Sequence, residues 1–251
     1  MGQVPAATRT LRVLRFLASQ ADPVTLQAIA TALRIPRSTA YHLLSVMVEE
    51  GFVVHLADEH RYGLGVAAFE VGSGYARQAP LQRLARRHLA TLVDTVGQSA
   101  HLAVLHGRDV LYVLEERAPG RAPLVTDVGV RLPAHLTASG RAILAALTPV
   151  QVRALYPDRS VFVDRHGVGP SSPSALRALL SETRQRGYAM EDGEVTPGFA
   201  SVAAVVHDHN GHPAAGVAVT FVSAEPPDLP STIAATRRTA SRLTARIAGR
   251  S

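Results

Sequence analysis

Residues 25 to 65 hold the pattern that most restricts the fold. Leu26, Ile29, Ala30 and Leu33 recur at helical spacing behind Thr25, which is placed to cap them. Arg34-Ile35 leaves a short turn before Pro36, whose missing N–H costs nothing in a helix's first turn. The helix it opens runs to about Glu50, where Gly51 stops it. Ahead of these, Thr8 to Gln20 places apolar residues at 11, 14, 17 and 18 with Arg12 and Arg15 off that face, until Asp22-Pro23 breaks the helix. Behind them, FVVHLADEHRYGLG reads as two short strands around a charged turn, with His60 and Arg61 near its tip. Three helices, a tight turn between the last two and a hairpin form the layout of a winged helix-turn-helix.

The third helix divides its residues by chemistry. Ala40, Leu43, Leu44, Met47 and Val48 share one side and are expected to pack on the first two helices. Ser38, Tyr41, His42 and Ser45 share the other, where they can donate and accept hydrogen bonds at base edges. Arg9, Arg12, Arg15, Arg34, Arg37 and Arg61 are placed to surround one surface, with Arg37 and Arg61 the candidates for phosphate. Net charge adds little to this reading. The chain is +6, yet all 26 basic residues are Arg, and the excess over acids falls after residue 79.

Val66 to Gln78 reads as a linker helix and Ala79-Pro80 as a boundary, giving domains 1–79 and 80–251. Beyond it come a helix at 81–96 and two strands about the His-Gly-Arg-Asp turn at 106–109. Further helices are expected at about 138–147, 174–186 and 228–248, with strands at 188–191, 200–207 and 214–222. GPSSPS at 169–174 is expected to be a loop. Strands and helices without regular alternation point to an α+β domain with a largely antiparallel sheet. The absence of Cys removes disulfides, thiolate nucleophiles and Cys-based zinc sites. No stretch approaches the roughly 20 apolar residues of a membrane span, and a cytoplasmic protein is expected.

These residues resemble the IclR family of bacterial transcriptional regulators over nearly the full length. RTLRVLRFLASQADPVTLQAIATALRIPRSTAYHLLSVMVEEGFV is similar to its winged helix-turn-helix, and VGVRLPAHLTASGRAILAAL and RGYAMEDGEVTPGFASVAAVV are similar to its effector-binding domain. The resemblance implies a homodimer, or a dimer of dimers, that binds operator DNA. Its C-terminal domain, similar to the GAF fold, would bind a small organic acid or aromatic effector, with no cofactor. Carried over by position, Arg37, Ser38, Thr39, Tyr41 and His42 fall on the recognition helix, where His42 replaces the family's usual Arg. The family's pocket lies where the helix after RLPAHLTASG begins, so Ala138, Ser139 and Gly140 would offer amides to a carboxylate. Glu191, Ser201, Ala218 and Thr220 match further pocket positions that often hold Asp, Cys, Ser and Ser, and Phe221 stands where Gly is common. With Ala218, Phe221, Leu124 and Leu132 lining the rest, the resemblance implies an acid with an apolar or aromatic body rather than glyoxylate or pyruvate.

Other motifs invite other chemistry. His207, His209 and His212 are close enough in sequence to suggest a metal, but Asn210-Gly211 marks an exposed hairpin turn. Ser139 near His135 suggests a hydrolase, but there is no Gly-x-Ser-x-Gly elbow or other triad context, and no enzyme is expected. The rival to a regulator is a small-molecule-binding or catalytic protein whose front helices serve only protein contacts.

Overall fold

The computed structural model describes residues 4–78, 80–120 and 126–248. They form two compact units, Met1–Ala79 and Pro80–Ser251. In the first, α1 (Pro5–Ala18), β1 (Val24–Thr25), α2 (Leu26–Leu33) and α3 (Arg37–Glu49) precede a hairpin of β2 (Val53–Leu56) and β3 (Arg61–Leu64), then α4 (Val66–Gln78). Thr25 caps α2 by accepting the Ala28 N–H at 3.2 Å. Arg34 ends it in the left-handed region at φ 54°, which lets the amides of Arg34 and Ile35 fold back on the carbonyls of Thr31 and Ala30. That reversal is the tight turn expected before Pro36. β3 lies between β1 and β2, both antiparallel to it.

Val13, Leu17, Ile29, Leu44, Met47, Val53 and Tyr62 form the core of this unit. Two expected faces are corrected. On α1 the buried residues are Val13 and Leu17, flanked by Leu14 and Phe16, while Leu11 is 59% exposed and Ala18 is exposed. The apolar residues at 11, 13, 14, 16 and 17 offer two overlapping helical stripes, and packing on α2 and α3 selects the second. On α3, Ala40, Leu44 and Met47 are buried, but Val48 lies outside the core.

The second unit contains α5 (Pro80–Val96), β4 (Ser99–His106), β5 (Asp109–Glu116), β6 (Arg131–Pro133), α6 (Ala138–Ala146), α7 (Pro149–Leu155), α8 (Pro173–Arg186), β7 (Ala189–Asp192), β8 (Phe199–His207), β9 (Pro213–Val222) and α9 (Leu229–Ile247). The six strands make one antiparallel sheet in the order β6-β5-β4-β9-β8-β7. α5 and α9 cover one face through Leu89, Leu92, Leu102, Val217, Val219 and Leu243. α6 and α8 cover the other through Leu136, Ile143, Leu144, Leu176 and Leu180, so this unit has three layers. β6 and α7 add to the elements expected from sequence. The GPSSPS stretch is also more regular than expected: Ser172 caps α8 by accepting the Ala175 N–H, and Pro173 occupies the helix's first position.

Candidate nucleic-acid face and buried pocket

In the first unit, burial of Ala40, Leu44 and Met47 turns Arg37, Ser38, Tyr41, His42 and Ser45 outward, with Thr39 half-buried. Arg37, Ser38, Tyr41 and His42 line one open groove with Thr25, Gln27, His55, His60 and Tyr62. The His55 ring stacks on Tyr62 with centroids 4.5 Å apart. Arg61 is partly committed: its Nη1 donates to the Pro23 carbonyl at 2.8 Å and its Nε lies 3.9 Å from a Glu59 oxygen. It therefore ties the hairpin to the segment before β1. Arg9 and Arg34 are exposed but do not line the groove. Gln27, His55 and Tyr62 are groove residues that sequence reasoning misses: strand alternation sets His55 on the same side as the buried Val53, and only the end of the core beyond Val53 leaves His55 exposed.

In the second unit the sequence converges on the start of α6. Thr137 caps it by accepting the Gly140 N–H at 3.0 Å, and the Arg141 N–H bonds the Thr137 carbonyl. Among the described residues, the amides of Ala138 and Ser139 have no acceptor, which leaves the positive end of the helix dipole open there. This turn is tightly seated. A Cβ on Gly140 would stand 2.2 Å from the Ala134 carbonyl oxygen, and one on Gly216 would stand 2.8 Å from that of Ser139.

A cavity of about 60 Å³ opens at this turn, lined by Ala138 and Ser139, by Glu191, Ser201, Ala218 and Thr220 from β7, β8 and β9, and by Tyr112, Thr126, Thr137, Val195, Thr196 and Phe199. The sheet register sets Glu191 opposite Ser201 and Ser201 opposite Thr220, so three polar side chains form a row across it. The Ser201 and Thr220 hydroxyl oxygens lie 2.9 Å apart.

Three expected wall residues are placed differently, and a fourth has no described placement. Gly140 does not line the cavity, because its amide is used by the Thr137 cap. Leu132 packs with Val110, Leu136 and Ile143 instead. Phe221 falls on the opposite face of β9 from Ala218 and Thr220, among Ala200, Val202 and Ile233, as alternation requires. Leu124 lies outside the described residues. The walls are therefore more polar than the sequence implied.

Two buried polar atoms in this cavity, Glu191 Oε2 and Ser139 Oγ, have no hydrogen-bond partner among the described residues. Burial is the main cause that pushes the Glu191 carboxyl up to about 7; a hydrogen bond with Ser201 works against it and the Glu194 charge adds to it. Tyr112 is also pushed up, by burial and by Glu191. Arg141, 2% exposed, donates to the His135 carbonyl at 2.8 Å, the Met190 carbonyl at 2.7 Å and Glu194 Oε1 at 2.9 Å. His135 Nε2 contacts the Val163 carbonyl, and among the described residues no base is bonded to Ser139 Oγ.

The His207–His212 segment is a turn held by Asp208, whose Oδ1 accepts the amides of Asn210 and His212. Among the described residues, no group of three or more His, Cys, Asp or Glu is arranged to hold a metal ion. Among them also, no helix is long and apolar enough to cross a membrane.

Comparison with known proteins agrees with both halves. Residues 6–57 match the IclR helix-turn-helix domain, and residues 73–243 match the bacterial transcriptional regulator IclR C-terminal domain. The glycerol operon regulatory protein of Streptomyces coelicolor is 34% identical over 218 residues, covering 86% of this chain and 84% of that protein. Among solved structures, an IclR transcriptional regulator from Silicibacter sp. TM1040 superposes with a TM-score of 0.83 at 25% identity, covering 97% of this chain and 96% of that one. An IclR homologue from Microbacterium hydrocarbonoxydans, complexed with 4-hydroxybenzoate, has the same fold at 23% identity and a TM-score of 0.78, covering 97% and 99%. The chain belongs to the IclR family of bacterial transcriptional regulators.

Proposed function

We propose that this DNA-binding regulator reads its operator as a homodimer through the outward face of α3, and that a small organic acid in the cavity at the start of α6 controls that binding. The observation that carries the reading is the division of α3. Ala40, Leu44 and Met47 hold it in the core, while Ser38, Tyr41 and His42 are exposed together on one groove with Arg37. These side chains suit base edges, and Arg37 suits phosphate. Leu11 on α1 and Val66 and Phe69 on α4 are large apolar residues left uncovered in the first unit, as expected of a surface that meets a second copy. A two-fold dimer would read an inverted repeat.

The effector reading rests on the open amides of Ala138 and Ser139, which favour a carboxylate without a cationic side chain. A carboxylate is also what the Microbacterium homologue carries on this fold. The cavity's size and walls favour a small polar acid over the aromatic body expected from sequence. One water needs about 10–15 Å³ in this measure, so 60 Å³ suits only a handful of non-hydrogen atoms.

Footprinting on the chain's own promoter tests the DNA assignment. Replacing Ser38, Tyr41 and His42 with Ala should cost about 1–3 kcal/mol for each side chain that bonds a base edge, and should flatten sequence preference. Wild-type protection by the triple variant would refute the assignment to α3.

A further inference from the structure

We infer that the cavity takes its acid effector together with one proton, shared between the bound acid and Glu191, so that the ligand enters as an acid–carboxylate pair rather than as a bare anion. This rests on the reading of the cavity as an acid site and adds a rule about what that site accepts.

The charges around the cavity are the first observation. Glu191 is the only carboxylate and no cation appears among the described residues that line it. The groups that bear on Glu191 are Arg141 from α6, Glu194 from the loop after β7 and Tyr112 from β5, with the Ser201 hydroxyl from β8 and the Val195 amide; no charge from α8 contributes. The charge of Arg141 favours an ionised Glu191, but its side chain does not line the cavity and offers no hydrogen bond to an incoming anion. Its three nitrogens are already spent on the carbonyls of His135 and Met190 and on Glu194.

The second observation is geometric. Glu191 is 5% exposed and Ser139 1% exposed, and each keeps an unpartnered oxygen at the cavity beside the free amides of α6. A carboxylate seated on those amides meets the unpartnered Glu191 oxygen within a space of only about 60 Å³. Two carboxylates cannot both stay ionised at such range in a water-poor site, so one proton is retained between them. The resulting O–H···O⁻ contact supplies the partner that Glu191 Oε2 lacks. Proton balance is simple: effector anion, ionised Glu191 and one proton from solvent give the complex. Since the free carboxyl titrates near 7, that proton is drawn from solvent only above this pH.

Calorimetry on the full-length protein tests this with pyruvate and benzoate as acid probes and glycerol as a neutral one, in buffers of different ionisation enthalpy. The wild type should take up close to one proton per bound acid at pH 8.5 and almost none at pH 5.5. Acid affinity should fall about tenfold per pH unit above 7 and stay flat below it. Glu191→Gln, which mimics the protonated side chain, should bind acid at pH 8.5 at least tenfold more tightly than the wild type, with no proton uptake and no pH slope. A residue with only a structural role would instead weaken binding at every pH. Acid binding by the wild type with no slope and no uptake overturns the inference, as does a slope that survives in Glu191→Gln. If neither acid binds at pH 5.5, or Ser201→Phe binds acid as the wild type does, the acid reading of the cavity fails first.

Discussion

Arg141→Met asks how much of the second unit is held together around its cavity by one buried guanidinium. Arg141 joins three segments: the loop before α6 through the His135 carbonyl, β7 through the Met190 carbonyl, and the following loop through Glu194. Met replaces most of the aliphatic stem, so the loss is one of hydrogen bonds and charge more than of volume. Three bonds to a charged group at about 1.5–3 kcal/mol each would give an upper bound, but the variant is also relieved of burying a guanidinium. Removing one partner of a buried pair costs about 3–5 kcal/mol, and that is the expected loss because the Glu194 side chain is only 14% exposed.

For a unit of this size, 1 kcal/mol moves Tm by about 2–4 °C, so the second unit's transition should fall by about 6–20 °C. Scanning calorimetry separates it from the first unit's, since unfolding enthalpy scales with length and the second unit is the larger. Glu194→Gln in the Arg141→Met background should cost less than in the wild type, with a coupling of about 1–3 kcal/mol. A Tm drop below about 3 °C, or additive losses, would refute the idea that this side chain clamps the cavity.

The close seating of α6 gives a second perturbation. Gly216→Ala places a methyl 2.8 Å from the Ser139 carbonyl oxygen and should cost about 1–3 kcal/mol by denaturant unfolding, whereas Gly72→Ala on α4, with open space around it, should be neutral or stabilising; equal effects would show that the contact is not tight. The third concerns pH. Glu191, raised by burial to about 7, binds more protons folded than unfolded, so its stabilisation is complete below about 4.5 and is lost as pH rises to 7; His101, lowered to about 4 by burial and by Arg117, stabilises in the opposite sense, gaining as pH rises from 4 to 6.5. Their slopes oppose each other between pH 4.5 and 6.5, so Glu191→Gln should show stability rising more steeply with pH there than the wild type does, and a parallel profile would contradict the raised Glu191 carboxyl.

The first unit is legible because its elements are punctuated locally. Thr25, Pro36 and Gly51 mark helix ends through bonds made within four residues, so α2 and α3 can be read without knowing what they pack on. The buried face of α1 is not local in that sense: two stripes fit its sequence, and only contact with Ile29 and Leu44 chooses between them. In the second unit the long strands and α8 carry enough period to be seen. β6 is three residues long and exists because β5 supplies its hydrogen bonds. α7 is different, since Thr148 and Gln151 form a complete capping box with Pro149 at the helix's first position, a local signal that the sequence does display.

The cavity divides in the same way. Once Ala218 and Thr220 are set facing it, strand alternation already sends Phe221 to the other side, so its placement needs only that rule applied one residue further. What no sequence pattern displays is the state of Glu191. Its position follows from pairing with Ser201, but its unsatisfied oxygen depends on where Arg141, some fifty residues earlier, spends its nitrogens. A guanidinium aimed at Glu191 would have made an ordinary ion pair and a neutral site. Aimed instead at two carbonyls and Glu194, it stiffens the walls and leaves the cavity acidic, and so a proton becomes part of what the site must bind.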